Sequence, residues 1–239
     1  MVMDKIINRF KYYLGGFLIG SIFVFFFFQN RGCSWLPSNR VKNTLMGKVI
    51  ALPEAEKQEL KAQGLTEDDF ISFLNDGEID FGGSLKDQDV YPKVYLINKE
   101  FNGKNVRAQF SLYEDAYITV GEILKDGEDI HRVENYTGWG DFIKFPMDTN
   151  MVYMDTALNN CLLEAFAYQK YDSIQADMLN TTRINFDQSN LMLPKAEQQL
   201  QFTDRKLGVV DAKTIWYLSK IFINKIEFEG REEYPCGLK

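Results

Sequence analysis

Residues 73–84 read FLNDGEIDFGGS, and residues 178–189 read MLNTTRINFDQS. When the second stretch is placed under the first at an offset of 105 positions, the same Leu, Asn, Ile, Phe and Ser recur in the same order. The match indicates an internal duplication. Within the first copy, Thr66 is the natural N-cap of a helix, Gly77 ends that helix, and a strand pattern follows.

The chain around each stretch carries the same order of predicted elements. Two helical patterns precede each stretch, and alternating apolar residues follow it. Further along, at an offset of 104, Ala108 matches Ala212 and Tyr113 matches Tyr217. Each unit of about one hundred residues therefore reads as two helices followed by an antiparallel sheet. We expect an α+β fold in which two such units lie in tandem.

The first stretch carries three alternating carboxylates that are typical of the start of a calcium loop, namely Asp76, Glu78 and Asp80. A calcium loop needs a glycine at its sixth position, where this chain has Phe81. In the duplicate stretch the carboxylates are replaced by Thr181, Arg183 and Asn185. The pattern therefore predicts a helix end followed by a strand and no metal site. Weak cation binding by the first unit stays open.

Charge and composition exclude several classes of function. The chain has 239 residues, with 27 Lys and Arg against 34 Asp and Glu, which gives a formal net charge of −7. This balance argues against nucleic acid as a partner, because phosphate binding needs clustered cations. The single histidine, His131, cannot build a His-rich metal site, and we expect it in a solvated loop. We find no catalytic, metal or cofactor motif and no evident small-molecule substrate.

The N-terminal residues predict a membrane anchor. An apolar run of 17 residues begins at Tyr12 and follows a basic start, and no small-residue cleavage pattern comes after it. We therefore expect a cytoplasmic tail at residues 1–11 and a single transmembrane helix at residues 12–30. The rest of the chain is then expected in the periplasm of a bacterium, with the helix in the inner membrane.

The chain beyond the anchor divides into a first α+β unit at residues 31–124, a linker at residues 125–148 and a second α+β unit at residues 149–239. The linker is polar and contains three aromatic residues, which are Tyr136, Trp139 and Phe142. These aromatics are candidates for partner contact in an exposed loop. In the alternative interpretation, Trp139 lies between the two units.

The three cysteines give one candidate disulfide. Cys33 follows the predicted anchor and Cys236 lies near the C-terminus, so an oxidising compartment permits them to pair. The alternative is two unpaired thiols. Cys161 lies in an apolar helical pattern and is expected in the core.

The first unit resembles the bacterial family known as domain of unknown function 4258. The resemblance rests on NRVKNTL at residues 39–45 and QGLTEDDFISFLNDGEIDF at residues 63–81. It covers residues 1–124 and is strongest with membrane-anchored members from Bacteroidetes. It implies a RelE/BrnT-like fold, in which two helices pack on an antiparallel sheet. The toxin-like members carry His and Arg residues that are mostly absent here, and Arg40 is the one plausible remnant.

These observations predict a non-enzymatic interaction or accessory subunit of a larger bacterial envelope complex. Its partner is expected to be a membrane protein complex, contacted through the transmembrane helix and the periplasmic units. The spacing Gly16-x-x-x-Gly20 predicts close packing of that helix against another membrane helix. Two alternatives are a degenerate toxin-like nuclease or hydrolase and a periplasmic ligand-binding module that uses the aromatic linker.

Overall fold

The computed structural model divides the chain into two compact units, Met1–Val41 and Lys42–Lys239. The structure describes residues 2–29, 36–114, 116–146, 150–153, 181–193, 195, 197–204 and 208–228.

Within these ranges the chain forms four α-helices, one short 3-10 helix and eleven strands. The helices are α1 (Val2–Gln29), α2 (Pro37–Met46), α3 (Glu54–Ala62), α4 (Glu67–Asp76) and the 3-10 helix Phe186–Gln188. The strands are β1 (Val49–Pro53), β2 (Glu78–Leu85), β3 (Lys93–Phe101), β4 (Lys104–Leu112), β5 (Ile118–Leu124), β6 (Trp139–Lys144), β7 (Asn150–Tyr153), β8 (Arg183–Asn185), β9 (Glu197–Asp204), β10 (Gly208–Tyr217) and β11 (Lys220–Phe228).

The predicted transmembrane helix at residues 12–30 is wrong. The N-terminal unit does contain the long helix α1, but no helix in the described ranges is long and apolar enough to span a membrane. Charged residues at positions 4, 5, 9 and 11 occupy the first third of α1, and the apolar run that follows, at residues 12–28, has only 17 residues. A spanning helix needs about 20. The expected single-pass location in the inner membrane, with a periplasmic soluble part, rested on this anchor and is corrected with it.

The predicted fold class is also wrong in its sheet architecture. All eleven strands belong to one sheet in the order β2-β3-β4-β5-β1-β6-β8-β9-β10-β11-β7. The sheet is mixed, because β1 pairs in parallel with β5 and β7 pairs in parallel with β11. Strand β6 pairs antiparallel with both β1 and β8 and so joins the two sets of strands. The chain therefore forms one mostly-sheet α+β fold instead of two separate antiparallel units.

The strand order repeats within this continuous sheet. Strands β1–β5, here called the first half, are ordered β2-β3-β4-β5-β1, and strands β7–β11, the second half, are ordered β8-β9-β10-β11-β7. In each half, four antiparallel strands follow one another. The last of them then takes the earliest strand of that half as a parallel neighbour.

The strand register makes individual residues of the two halves equivalent. One row of partners crosses the first half through Ile79, Ile97, Ala108 and Ile123. The corresponding row crosses the second half through Ile184, Leu200, Ala212 and Ile226. Ala108 and Ala212 therefore hold the same position in the two strand sets. Tyr113 and Tyr217 each follow five residues later in the chain.

The pairing of β6 inverts the strand directions of the second half relative to those of the first half. Because β6 is antiparallel to β1 and to β8, β8 runs in the same direction as β1. Its counterpart in the first half, β2, runs opposite to β1, since three antiparallel steps lead from β5 to β2. The equivalent faces of the two halves consequently lie on opposite sides of the sheet.

Helices α3 and α4 pack on the side of the first half that carries Ala108. Phe70 of α4 is fully buried, and its ring lies 5.1 Å from the ring of Phe110. Gly121 leaves room for Phe70, since a Cβ at this position would lie 2.4 Å from the Phe70 ring. A capping box between Thr66 and Asp69 begins α4, as the sequence predicted for Thr66.

The opposite side of the sheet carries a buried cluster to which both halves contribute. Val49 and Tyr113 come from the first half, Phe142 from β6, and Ile184 and Trp216 from the second half. The ring of Phe142 meets Trp216 edge-on at 5.4 Å. Because this core crosses the junction, the strands of residues 42–239 form one packed body.

Candidate functional site

The glycines of the predicted helix-packing motif lie in α1 with open space around them. An added Cβ at Gly16 or Gly20 would meet no atom within 4 Å. Arg40 is an exposed residue of α2. The candidate disulfide partners Cys33 and Cys236, and the predicted core residue Cys161, lie outside the described residues.

The aromatic residues proposed for partner contact lie largely in the interior. Tyr136 is 8% exposed and Phe142 is 9% exposed, and both belong to the shared core. Trp139 begins β6 and is half-buried, with the guanidinium of Arg183 at 5.5 Å from its ring centre. The structure therefore uses these aromatics to build the junction between the two halves.

Two of the three carboxylates of the first stretch, Asp76 and Asp80, bind groups within the protein. Asp80 accepts hydrogen bonds from the backbone N–H groups of Gly82 and Gly83, each at 2.9 Å. Asp76 pairs with Lys99, which lowers the pKa of that carboxyl. Across the described part of the chain, no group of three or more His, Cys, Asp or Glu side chains could hold a metal ion.

Residues 125–138, here called the cover segment, lie over the side of the first half that carries Tyr113. The hydroxyl of Tyr113 donates to the carbonyl of Val133 at 2.8 Å. Arg107 donates to the carbonyl of Glu128 at 2.6 Å, and the backbone N–H of His131 donates to Gln109 Oε1 at 3.1 Å. Strand β4 and the residue Tyr113 just beyond it thus bind the backbone of the cover segment at several points.

A buried polar cluster lies beneath the cover segment. Gln109 donates to the carboxylate of Glu122, and Ser111 Oγ lies 3.3 Å from the hydroxyl of Tyr136. Burial raises the pKa of Tyr136 well above its ordinary value, and the negative charge of Glu122 adds to the rise. Burial likewise raises the pKa of Tyr113. Both phenols are therefore held in the protonated form, and Tyr113 donates its proton to the Val133 carbonyl.

His131 is the half-exposed member of this cluster, but its geometry does not form a serine triad. Nε2 of His131 faces the Glu122 carboxylate at 3.5 Å, and Nδ1 faces the carbonyl oxygen of Asp129 at 3.3 Å. A triad needs one ring nitrogen on the acid and the other on the nucleophile. Here Ser111 contacts Tyr136 instead. The cluster therefore holds the cover segment in place.

A network of charges ties the first half to β6 and the second half. Asp141 of β6 accepts from Lys57 of α3 at 2.7 Å and from Arg183 of β8 at 2.7 Å. Arg183 also pairs with Glu54 at 2.8 Å, and Lys57 with Glu67 at 2.8 Å. The hydrogen bond to Asp141 is the main reason that the pKa of Lys57 is raised. Asp141 is thus the central anion of the junction.

The second half presents a different surface at the position equivalent to Tyr113. Tyr217 is 38% exposed, and the ammonium of Lys195 lies 4.2 Å from its ring centre. Lys220 is its direct cross-strand partner, and Lys213 is an exposed residue of the same strand. These residues and Leu218 are called the Tyr217 face below.

The hairpin turn at this face is conformationally strained. Leu218 has φ of 54° and is 69% exposed, although a branched apolar residue disfavours positive φ. The turn between β3 and β4 uses Asn102 and Gly103 at φ of 51° and 80°, which are residues suited to that conformation. The chain therefore keeps an unsuitable, exposed leucine beside Tyr217.

Sequence reasoning did not find this face. The sequence shows two strand-like segments here, VDAKTIWYL and KIFINKIEF, with no turn signal between them. A two-residue hairpin turn normally shows Gly, Asn or Asp, whereas this one is Leu218-Ser219. The match of Tyr113 with Tyr217 identified the equivalent positions but could not show that only Tyr113 is covered.

No protein-family model, no curated protein sequence and no solved structure matches this chain. The resemblance to domain of unknown function 4258 therefore stays a prediction.

Proposed function

We propose that this chain is a non-enzymatic, protein-binding accessory subunit that uses the Tyr217 face as its binding surface. The observation that carries the proposal is the exposed Leu218, held at positive φ next to the exposed Tyr217. Leu193, which precedes Lys195 by two residues, is a further apolar side chain exposed at 57%.

A protein interface accounts for both features of the turn. Aromatic residues are enriched at interfaces, and contiguous exposed apolar residues mark interaction sites. A positive φ at a non-glycine residue costs roughly 1–3 kcal/mol, and such strain clusters at functional positions. Leu218 contributes an apolar side chain that a glycine in the same turn would not provide.

The polar cluster of the first half supports the non-enzymatic part of the proposal. Its acid, amide, hydroxyl and phenol groups bind one another or the cover segment, as Glu122 binds Gln109 and Tyr113 binds Val133. Of the cluster, His131 has the side chain that reaches solvent, at 47% exposure. These groups stabilise the fold where an enzyme would aim them at a substrate.

Affinity purification of the tagged full-length protein from its native cells tests this function. We expect a partner in constant stoichiometry with the wild type, and its loss with the double variant Tyr217→Ala/Leu218→Gly. The matched control is Phe101→Ala/Asn102→Gly, which alters the corresponding positions of the β3–β4 turn. A wild-type protein that elutes alone as a monomer, or a partner equally retained by the double variant, contradicts the proposed function.

A further inference from the structure

We propose that the Tyr217 face binds an extended, acidic segment of a partner protein, with its carboxylates on the lysines and its backbone along the aromatic ring. This inference rests on the proposed function and names the chemistry of the partner.

The surface around Tyr217 carries a local positive charge. The protein as a whole has a formal net charge of −7, yet two lysines flank one exposed ring and a third lies four residues away on the same strand. Lys195 lies over the ring of Tyr217, Lys220 is its cross-strand partner, and Lys213 is exposed on the same strand. A cationic patch on an acidic protein selects a partner of negative charge and raises its rate of association.

The same hairpin places two like charges directly opposite each other on its two strands. Lys213 and Lys225 are direct cross-strand partners, and like charges in that position destabilise a sheet. Glu227 pairs with Lys225, an ion pair that lowers the pKa of Glu227. An added carboxylate from a partner offsets the remaining repulsion at Lys213.

The acidic residues near the Tyr217 face determine how much of its positive charge remains. Asp211 lies towards the far end of β10 and accepts a hydrogen bond from Gln201 at 3.1 Å. Glu197 is exposed on β9, where it is the cross-strand partner of Ile215. Among the described residues at the Tyr217 end, Lys195 and Lys220 stand with one exposed carboxylate, Glu197. Further along the hairpin, Lys213 and Lys225 share Glu227, so the described charges of this face sum to a positive value.

The first half shows how a segment of chain binds at the position equivalent to Tyr217. The cover segment is a piece of chain without helix or strand that lies across the equivalent position and binds Tyr113 through the carbonyl of Val133. Its residue Glu128 binds Arg107 through the backbone carbonyl, while the Glu128 carboxylate accepts a hydrogen bond from the backbone N–H of Lys125. An extended acidic segment on the second half repeats this mode of binding, with Tyr217 as donor to a backbone carbonyl.

Direct binding to a defined probe tests the inference. The full-length protein is titrated into a fluorescently labelled random copolymer of glutamate and tyrosine, with a lysine–tyrosine copolymer as the opposite-charge control. We expect salt-sensitive binding of the acidic copolymer only. The triple variant Lys195→Glu/Lys213→Glu/Lys220→Glu should weaken binding about tenfold or more, since each exposed ion pair contributes up to about 1 kcal/mol.

A matched variant, Lys11→Glu/Lys61→Glu/Lys104→Glu, makes the same change in net charge at exposed lysines elsewhere and should bind like the wild type. Equal weakening by both triple variants, or no binding of the acidic copolymer, overturns the inference. If the copolymer fails but a stoichiometric partner still depends on Tyr217 and Leu218, the proposed function stands and the acidic chemistry is wrong. If removal of residues 229–239 alone creates copolymer binding, the acidic segment is the chain's own C-terminus and the partner inference is overturned.

Discussion

Tyr113 and Tyr217 hold equivalent positions in the two halves of one continuous sheet, yet Tyr113 is fully buried and Tyr217 is 38% exposed. The difference in exposure comes from the cover segment, in which the carbonyl of Val133 accepts a hydrogen bond from the hydroxyl of Tyr113. The equivalent ring in the second half has a lysine ammonium above it. The Tyr113 position of the first half is thus covered by the cover segment, whereas the equivalent Tyr217 position of the second half is accessible to solvent.

The two tyrosines should therefore respond differently to loss of the hydroxyl. Tyr113→Phe removes the hydrogen bond to Val133 and leaves a buried carbonyl without its donor, so we expect the free energy of unfolding to fall by about 1 kcal/mol. Tyr217→Phe should change it by less than about 0.5 kcal/mol. Urea denaturation measures both. Equal effects would mean that the cover segment is not bound as described.

The turn at Leu218 should show opposite effects on stability and on binding. Leu218→Gly relieves the positive φ, and after the entropic cost of glycine we expect a gain of about 0.5–1 kcal/mol in unfolding free energy. Partner binding should fall, because the exposed apolar side chain is lost. Asn102→Gly is the control, since asparagine already tolerates its positive φ. A Leu218→Gly protein that is both less stable and fully active in binding contradicts the assignment of strain to function.

Asp141 should be essential to the junction between the halves. Asp141→Asn removes the charge that faces Lys57 and Arg183 at 2.7 Å each, and we expect a loss of about 2 kcal/mol in unfolding free energy. Glu100→Gln, at an exposed residue of β3, is the matched control and should be close to neutral. Chemical denaturation measures the unfolding free energy of both variants. Similar losses in the two would contradict the role of Asp141 in stabilising the junction.

Glu56 gives a prediction about pH. Burial raises the pKa of its carboxyl, although the backbone N–H of Ile123 donates to it at 2.9 Å. A raised pKa in the folded state means that the folded protein holds this proton more tightly than the unfolded chain. The stability from Glu56 is therefore present below its unfolded pKa and is lost as pH rises through its folded pKa.

Glu56→Gln keeps an acceptor for Ile123 and removes the buried charge. We expect its stability to decline less than that of the wild type as pH rises from about 4 towards neutral. Thermal unfolding at a series of pH values checks this, with Glu100→Gln again as control. A variant that loses stability faster than the wild type over this range would show that the carboxylate is favourable there.

Gly121 should tolerate no side chain. A Cβ at this position would lie 2.4 Å from the Phe70 ring, so Gly121→Ala should cost about 1–3 kcal/mol through overpacking. Gly16→Ala is the control, because nothing lies within 4 Å of its added Cβ. Unfolding of Gly121→Ala at the wild-type midpoint would mean that α4 does not pack against β5 as described.

The local elements were predictable because their signals are local. The Thr66 N-cap rests on residues adjacent in sequence, and the register places the matched pair Ala108 and Ala212 at the same position of the two strand sets. The continuity of the sheet was not predictable, since it depends on the six-residue strand β6 inside a polar, glycine-containing stretch. The parallel pair of β1 and β5 is also invisible to alternation, because β1 is buried along its whole length.

The membrane prediction failed for a different reason. The apolar run from Tyr12 to Phe28 has 17 residues, which stands at the lower limit for a spanning helix. The candidate site depended on burial, which sequence alone does not give. Tyr136 and Phe142 were candidates for partner contact in an exposed loop, and they lie in the core. Tyr217 entered the sequence comparison only as the match of Tyr113.

Tyrosine-specific nitration of the native full-length protein, read peptide by peptide by mass spectrometry, tests the central claim most directly. Tyr12 and Tyr13, which are 83% and 79% exposed, serve as internal standards for full reactivity. The account predicts that Tyr217 reacts readily while Tyr113 and Tyr136 stay unmodified until the protein unfolds. Reaction of Tyr113 at the rate of Tyr217, or protection of both, would contradict the claim that one half is covered and the other presents an accessible face.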